Sequence, residues 1–499
     1  MVSQIRRNIL VSYANRASAL IGILVLVPLY TRFLGPRLYG EWIVIISIVP
    51  YLALAGLGMD QTLTNRIAEA LAANREGEVR TLVSTAFFYY AAIAIALAMI
   101  MALFSPAIAR LIVSSSGAQA GMALIVVSVL YAVALPGNAF INALRGFERV
   151  DTEQTIGLCT IWGRNLGVIA AILFGFELVP LAIIYGLAIL VRNIFAYFRA
   201  LRLASEVTPR LRAFSLTSLK GLVRPSFAFF VLQIGGIVGF GIDNLVIGYA
   251  LGPEDVTRYA VPFSVVMTAA SLFATVSLAL TPTLTSNYAR SQTEFLSHSL
   301  LLMLRFGMFY LTAGLLVFWI AGPQLLHLWA GPSAYPGDAT YHLQLVLFAI
   351  QVLIEPPYLI LVSTTHHYGT AVIHAFESAL NLTLSLWWVR VWGLAGVIAG
   401  TVVARLLTTG WYIPMVAMHA LDMKLRGLAG PVSRGAAVAL ITIIVAIIID
   451  YLFSTVSLSA SISAAAVAVI LFSAAFAAIS LTRSERRAIV SRFIRSVPA

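Results

Sequence analysis

The sequence predicts an all-α integral membrane protein with about 14 transmembrane helices. Its composition points to this fold class, because 60% of the 499 residues are hydrophobic and only 10% are charged. Soluble globular proteins usually carry about 25% charged residues, so this composition does not fit one water-soluble core. In addition, the apolar stretches are each about 20 residues long, which is the length that a helix needs to cross the hydrocarbon layer.

The predicted spans follow one another with short connections. The longest connection, roughly 199–224, has room for one surface helix and for no separate catalytic domain. The expected spans are 8–30, 42–64, 83–104, 120–143, 155–175, 178–198, 225–250, 259–283, 300–321, 341–362, 370–389, 395–418, 435–453 and 459–481.

The distribution of arginine predicts the orientation of the chain. With the N-terminus in the cytoplasm, most cationic residues outside the spans fall on the cytoplasmic side. The opposite side then holds only Arg32, Arg37, Arg110, Arg258 and Arg390. Because cytoplasmic loops are enriched in Lys and Arg, both termini are expected in the cytoplasm. This topology and contact with anionic lipids account for the net charge of +12, so no nucleic-acid partner is expected.

An internal repeat divides the predicted bundle. Leu-Gly-Pro at 34–36 returns at 251–253, an offset of 217 residues, and Thr-Leu-Thr at 62–64 returns at 283–285, an offset of 221. Because six is an even number of spans, the second repeat begins on the same side of the membrane as the first. The two halves then have the same orientation, which is a known transporter architecture. We therefore predict an N-terminal six-helix lobe at 1–205, a C-terminal six-helix lobe at 206–424, and two additional helices with a basic tail at 425–499.

Polar residues inside the first and seventh spans predict a shared cleft. Asn15 and Arg16 lie well inside the first span, and an offset of 217 brings Arg16 to Gln233 in the seventh span, with Asp243 further along the same stripe. Polar faces of spanning helices turn to a bundle interior or a wet cavity and away from lipid. The alternative for Arg16 is that its long side chain reaches the cytoplasmic headgroups.

Two further arginines, Arg164 and Arg405, lie near the centres of their spans. A charge there costs about 2.5–3.5 kcal/mol on the lenient insertion scale, so both require a partner or a wet cavity. A structural ion pair and a substrate-binding role both remain open. Arg192 lies nearer a helix end, which favours an interpretation as a headgroup-reaching side chain.

Three residues in the second half are candidates for ion coupling. Glu355 precedes Pro356 and Pro357, and paired prolines are expected to break the tenth span beside a cavity. His374 and Glu377 are three residues apart on one helix face, so their side chains can meet. Such a pair could carry a proton or bind sodium, or it could be part of a hydrogen-bonded packing face.

Motifs of soluble catalysis are missing from the sequence. Lys220 and Lys424 are the only lysines and neither belongs to a phosphate-binding Gly-Lys-Ser/Thr motif. The chain has no His-Glu-x-x-His motif, and its one cysteine, Cys159, cannot form an internal disulfide. No catalytic residue, metal or cofactor is expected, which disfavours an enzyme such as a membrane-embedded glycan polymerase or transferase.

The quoted motifs resemble a known family. Residues 8–42, NILVSYANRASALIGILVLVPLYTRFLGPRLYGEW, followed by GLGMDQTLTNRIAEA, look like the N-terminal half of bacterial polysaccharide transporters. These are O-antigen and exopolysaccharide flippases of the multidrug/oligosaccharidyl-lipid/polysaccharide exporter superfamily. The later stretch ALGPEDVTRYAVPFS resembles the family's second repeat, and the resemblance covers roughly residues 1–420.

The resemblance implies two six-helix lobes in a V shape around a central cavity, with alternating access driven by a gradient of H+ or Na+. It implies a cargo of undecaprenyl-diphosphate-linked oligosaccharide, moved across the bacterial inner membrane to the periplasmic leaflet. Arg16 matches, by its place in the first span, the arginine that meets the diphosphate in related lipid II flippases. Membrane lipids, a glycan polymerase and a chain-length regulator are the expected partners.

Two other transport functions remain open, namely a lipid II flippase and a cation-coupled multidrug antiporter of the same superfamily. The multidrug exporters usually take cationic drugs and depend on an acid in the first lobe. The first span here has Asn15 and Arg16 instead of an acid. An arginine suits a phosphate because its planar fork of donors stays charged at any working pH.

Overall fold

The computed structural model of the chain consists of helices joined by short turns, and no strand occurs among the described residues. It describes residues 2–112, 118–278, 280–364, 368–423, 437–442, 444 and 458–479. For part of these only the backbone is described, namely 2–10, 12–13, 15–16, 102, 104–112, 228, 231–232, 234–240, 368, 371, 458–460 and 478–479. Most of the predicted span 435–453 and the basic tail after residue 480 lie outside the described residues.

The helices of the first half match the predicted spans, and two of these spans, 42–64 and 120–143, are each divided into two helices. They are α1 (Val2–Leu29), α2 (Gly35–Ala53), α3 (Met59–Ala72), α4 (Glu76–Ile112), α5 (Ala118–Ala134), α6 (Asn138–Gly146), α7 (Val150–Leu173), α8 (Leu178–Leu203) and α9 (Leu216–Ala250).

The second half continues with helices of similar length. They are α10 (Pro253–Leu278), α11 (Thr281–Ala289), α12 (Thr293–Ile320), α13 (Gly322–Ala330), α14 (Asp338–Ser363), α15 (Tyr368–Leu407), α16 (Thr409–Ala420) and α17 (Leu458–Ile479).

Nine stretches within the described part of the chain are long and apolar enough to cross a membrane. Two of them, Ala17–Gly56 with 40 residues and Val372–Ala420 with 49, are each long enough for two crossings of about 20 residues. The all-helical membrane fold predicted from composition is therefore confirmed. The count of 14 spans stays a prediction.

The chain forms two compact units, one of residues 1–260 with 382–397, the other of residues 261–381 with 398–499. In the first unit, α5 packs on α8 and α1 packs on α7. In the second unit, α12 packs on α14 and α17, and Phe309 stacks on Phe472 with ring centroids 5.7 Å apart. The lobe boundaries predicted from the repeat, 1–205 and 206–424, remain a prediction.

The two Leu-Gly-Pro motifs lie at equivalent places, each at the start of a helix. Gly35 and Gly252 both have positive φ, and the following prolines occupy the first turns of α2 and α10. The hydroxyl of Thr257 donates to the carbonyl oxygen of Pro36 at 2.6 Å. A Cβ atom on Gly40 would collide with the carbonyl group of Pro253. The two copies of the motif thus pack against each other within the first unit.

The two Thr-Leu-Thr motifs also lie at equivalent places, each just after a break in a membrane-length helix. Leu63 on α3 and Leu284 on α11 are both almost fully buried. The break before α3 is at Leu57 and Gly58, which have φ of 49° and 73°. A Cβ atom on Gly58 would meet the backbone of Ser226 and Phe230, so this position requires glycine for both space and conformation.

The prediction that Pro356 and Pro357 break the tenth span is wrong, because α14 runs through both without interruption. Each proline removes one N–H donor from the helix. The helix is nevertheless held by packing on both sides, since α12 and α16 contact α14 and Leu359, Ile360 and Leu361 are fully buried. Tertiary packing of this kind lets spanning helices tolerate proline.

Helix α15 contains a sharp reversal at Gly393. Its φ of 56° and ψ of −134° are not helical, and Ser385 donates to the carbonyl oxygen of Val397 across the turn at 3.3 Å. This combination of dihedral angles is essentially accessible to glycine alone. Spans 11 and 12, which are separated by few residues in sequence, are therefore connected by one glycine turn.

We expect Gly393→Ala to lower the free energy of unfolding by about 1–3 kcal/mol, because alanine is strained at this backbone conformation. Gly77→Ala is the matched control. Both glycines have open space around the position of a Cβ atom, and only Gly393 has positive φ. The midpoint of thermal unfolding in detergent, followed by intrinsic fluorescence, measures the difference. Equal midpoints for the two variants would contradict the assignment of strain to Gly393.

Candidate functional site

A polar cavity of about 430 Å³ lies inside the first unit, between α7, α8 and the residues around the α5–α6 junction. Its polar lining includes Tyr131, Asn138, Glu153, Arg164 and Arg192. These side chains come from helices that the sequence places in the membrane. A cavity of this composition can hold water or a polar ligand at membrane depth.

Glu153 is the centre of an ion-pair cluster at one end of this cavity. The carboxylate is buried, and its Oε1 atom lies 2.8 Å from Nη2 of Arg192 and 3.1 Å from Nη2 of Arg145. Removing a carboxylate from water is unfavourable unless charge and hydrogen bonds compensate for it, and here two guanidinium groups do so. The cluster therefore carries more positive than negative charge.

Arg164 lies in the same cavity, away from this cluster along α7. Its guanidinium group lies 5.1 Å from the centre of the Tyr185 ring, and it donates to Oδ1 of Asn165 at 3.1 and 3.3 Å. No described carboxylate forms an ion pair with it. A cation held by a ring face and a neutral amide keeps its positive charge available to an anionic ligand.

The packing of α1 on α7 determines which part of the first span faces this region. Nε1 of Trp162 donates to Oγ of Ser18 at 3.0 Å, and a Cβ atom on Gly22 would lie 2.9 Å from Nδ2 of Asn165. Asn15 and Arg16 belong to the same helix, but their side chains lie outside the described part of the structure. Their substrate-binding role stays a prediction.

The two predicted cleft residues of the seventh span both lie on α9. Gln233 is half-buried, and Asp243 is buried and accepts a hydrogen bond from the hydroxyl of Tyr259 at 2.6 Å. Asp243 is therefore part of a buried contact between α9 and α10. The predicted meeting of Gln233 with Arg16 at a common cleft stays a prediction.

In the second unit, the structure joins two residues that the sequence analysis placed in different roles. Nε of Arg405 lies 2.9 Å from Oε1 of Glu377, and Nη1 donates to Gln351 at 2.5 Å. Oε2 of Glu377 accepts from Thr408 at 3.3 Å and from the hydroxyl of Thr409. Both charged residues are at least 95% buried, so each compensates the charge of the other within the protein. The substrate-binding role of Arg405 and the coupling role of Glu377 stay predictions.

The other two coupling candidates are His374 and Glu355. Nδ1 of His374 is 3.8 Å from Oε2 of Glu377, so the predicted approach of these side chains at i,i+3 is confirmed. The distance is too long for a good hydrogen bond, and the threonine hydroxyls already occupy that oxygen. Glu355 is buried on α14.

The sequence analysis misassigned one polar residue of the first unit and missed another. Arg192, whose side chain is 33% exposed, forms an ion pair with the buried Glu153 from another helix, so its interpretation as a headgroup-reaching side chain is wrong. Asp60 was also missed; its Oδ1 accepts from the hydroxyl of Tyr90 at 2.6 Å and from Nδ2 of Asn142 at 2.7 Å. The one sequence signal that could have identified these contacts was the presence of the acidic residues Asp60 and Glu153 within or beside apolar spans. Within the described part of the chain, no group of His, Cys, Asp and Glu forms a metal site.

We expect Glu377→Ala to destabilise the protein by about 3–5 kcal/mol, because it leaves Arg405 buried without its counter-charge. The double variant with Arg405→Leu should recover much of that loss. Glu69→Ala, which removes an exposed ion pair with Arg66, is the control and should change stability by about 1 kcal/mol or less. Thermal unfolding in detergent measures all three, and a double variant no more stable than Glu377→Ala would argue against the pair.

The sequence matches the profile of a known family. The family described as polysaccharide biosynthesis protein matches residues 5–288, which is more than half of the chain. No curated protein sequence matches the chain.

Solved transporter structures have the same fold. The lipid II flippase MurJ in an inward closed conformation aligns with a TM-score of 0.72 at 12% identity, over 94% of this chain and 99% of that one. An inward-facing multidrug resistance MATE family transporter aligns with a TM-score of 0.63 at 16% identity, over 83% and 94% of the two chains. A MOP superfamily transporter from Pyrococcus furiosus, whose binding pocket is described as having reversed polarity, aligns with a TM-score of 0.55 at 16% identity over 84% and 95%.

These similarities confirm the family and the transporter fold that the sequence motifs predicted. At identities of 12–16% the structural matches establish the fold alone. The chain belongs to the polysaccharide biosynthesis protein family and has the helical fold of the MurJ and MATE transporters of the MOP superfamily.

Proposed function

We propose that this protein is a flippase that moves undecaprenyl-diphosphate-linked oligosaccharide repeat units across the bacterial inner membrane, for O-antigen or exopolysaccharide biosynthesis. The observation that carries the proposal is the charge of the polar cavity in the first unit. Its lining includes two arginines and one glutamate, and that glutamate is already bound by two guanidinium groups. Such a cavity suits an anionic headgroup.

The diphosphate of a lipid-linked sugar is the part of the substrate that this chemistry would recognise. Arginine forms bidentate, charge-assisted hydrogen bonds with phosphate oxygens. An organic cation would be repelled by the same cavity, which disfavours a multidrug antiporter. The family description supports a role in polysaccharide synthesis, and the similar lipid II flippase supports transport of a lipid-linked glycan.

The remaining parts of the proposal follow from it. The protein acts as a transporter without catalytic chemistry, and both termini lie in the cytoplasm. A glycan polymerase and a chain-length regulator would receive its product on the far side of the membrane. Among the coupling candidates, Glu377 is the least suited to exchange H+ or Na+, because Arg405 already neutralises it. His374 and Glu355 are better placed for that role.

Reconstitution tests the function directly. We expect the purified protein in liposomes to move a lipid-linked oligosaccharide from the outer to the inner leaflet without changing its mass. Protection of the sugar from an impermeant oxidant follows the movement, and mass spectrometry of the recovered lipid checks its integrity. A new glycosidic bond would indicate a polymerase, and movement of cationic drugs alone would indicate an antiporter.

Arg16 provides a test in cells. We expect Arg16→Ala to abolish polymer export while the amount of protein in the membrane stays normal, because the diphosphate loses its predicted first contact. Arg202→Gln, on the exposed end of α8, is a control that should export normally. The undecaprenyl-linked glycan that accumulates inside the cell measures the block. Full export by Arg16→Ala would mean that this side chain only reaches the headgroups.

A further inference from the structure

Two cavities lie along the contact between α7 and α8. One is the polar cavity described above. The other, of about 510 Å³, is an apolar groove whose walls include Ile184, Leu187, Val191 and Phe195. The residues Thr160, Arg164 and Ala188 line both cavities. We call these two cavities, with the three residues that they share, the α7–α8 seam.

The two sides of the seam differ in the chemistry that they offer. The polar side has guanidinium, amide and hydroxyl groups. On the apolar side, Leu187, Val191 and Phe195 are each at least 39% exposed, so that side presents a hydrocarbon surface to its surroundings. A molecule with a polar head and a long apolar chain can therefore satisfy both sides at once, with the change of polarity at Arg164.

The depth of Arg164 limits which lipid this can be. Arg164 is 14 residues after the start of α7 and nine before its end, which corresponds to about 21 Å and 14 Å along the axis. A resident phospholipid keeps its phosphate at the surface of a hydrocarbon layer that is about 30 Å thick. A phosphate that reaches Arg164 therefore belongs to a lipid that crosses the membrane.

Arg164 is also the arginine of the cavity that a phosphate can engage most easily. Arg192 is bound to the carboxylate of Glu153 at 2.8 Å, whereas the described contacts of Arg164 are a ring face and a neutral amide. A phosphate at Arg164 would not have to displace a carboxylate. Arg192, on the wall of the same cavity, supplies a second positive charge for a diphosphate.

We propose that the α7–α8 seam binds a polyprenyl diphosphate lipid in transit, with the diphosphate at Arg164 and the polyprenyl chain in the apolar groove. This proposal rests on the proposed flippase function and assigns the recognition of the lipid carrier to a site within the first unit. The sugar extends from the diphosphate into the polar cavity, where Tyr131 and Asn138 lie.

The single cysteine of the chain reports on this site. Cys159 lines the apolar groove and is exposed. Full-length protein labelled at Cys159 with monobromobimane is titrated with undecaprenyl diphosphate, undecaprenol, phosphatidylglycerol and inorganic diphosphate. Native mass spectrometry of the unlabelled protein gives the affinities independently of the label. We expect undecaprenyl diphosphate to bind and to change the bimane emission, and the other three to bind at least tenfold more weakly.

Two substitutions test the two sides separately. Arg164→Gln should weaken binding of undecaprenyl diphosphate by roughly ten- to a hundredfold, the range expected for one charged hydrogen-bond partner. Arg164→Lys should recover part of that loss, since it keeps the charge. Leu187→Trp fills the apolar groove without changing a charge and should weaken binding about tenfold. Arg202→Gln and Leu166→Trp, exposed positions that line neither cavity, are matched controls and should bind as the unaltered protein does.

Several outcomes would overturn the proposal. Equal binding of phosphatidylglycerol would make the seam a general anionic-lipid surface, and equal binding of inorganic diphosphate would make it an anion site without a role for the chain. Unchanged affinity of Arg164→Gln and Leu187→Trp would place the lipid elsewhere. Flipping in liposomes without a change in the emission of the bimane on Cys159 would rule out the seam as the binding site and leave the flippase function standing. Binding at the seam without flipping would rule out the flippase function and leave the binding site standing.

Discussion

The structure depends on one constraint, which is that a charged side chain in an apolar interior must find its counter-charge within the protein. Each unit meets this constraint with a pair of one glutamate and one arginine. Glu153 on α7 binds Arg192 on α8, and Glu377 binds Arg405 beyond the turn at Gly393. Removing Glu377 would leave a buried guanidinium group, and removing Glu153 would leave two half-buried ones without this counter-charge, so these pairs restrict which helices can pack together.

The two pairs differ in the charge that remains. Glu377 is saturated by Arg405 and two threonine hydroxyls, and the second-unit cluster is therefore a closed hydrogen-bond network. Glu153 is shared by two arginines, and Arg164 adds a further cation on the same cavity wall. The surplus charge of the first unit is what connects the architecture to transport of an anionic lipid.

Backbone geometry at a few glycines also restricts how the helices pack. Glycine at 58 and at 393 supplies conformations that other residues adopt only with strain, and each lies at a break or reversal between helical segments. The contact between the two Leu-Gly-Pro motifs has the same character, because Gly40 leaves room for the backbone at Pro253. Close backbone approach at Gly40 and Gly58 holds the neighbouring helices together.

The sequence by itself determined the membrane class and the family, since these depend on composition, on apolar length and on motifs that each lie within a few residues. It also indicated that Arg164 and Arg405 need a partner or a wet cavity, because a charge in an apolar span is costly wherever it points. Only the tertiary structure decided the partners. Arg192 meets Glu153 across 39 residues and Arg405 meets Glu377 across 28, and the sequence spacing within one helix carries no information on contacts between helices. The continuity of α14 through Pro356 and Pro357 was decided in the same way, because packing from neighbouring helices outweighed a local rule.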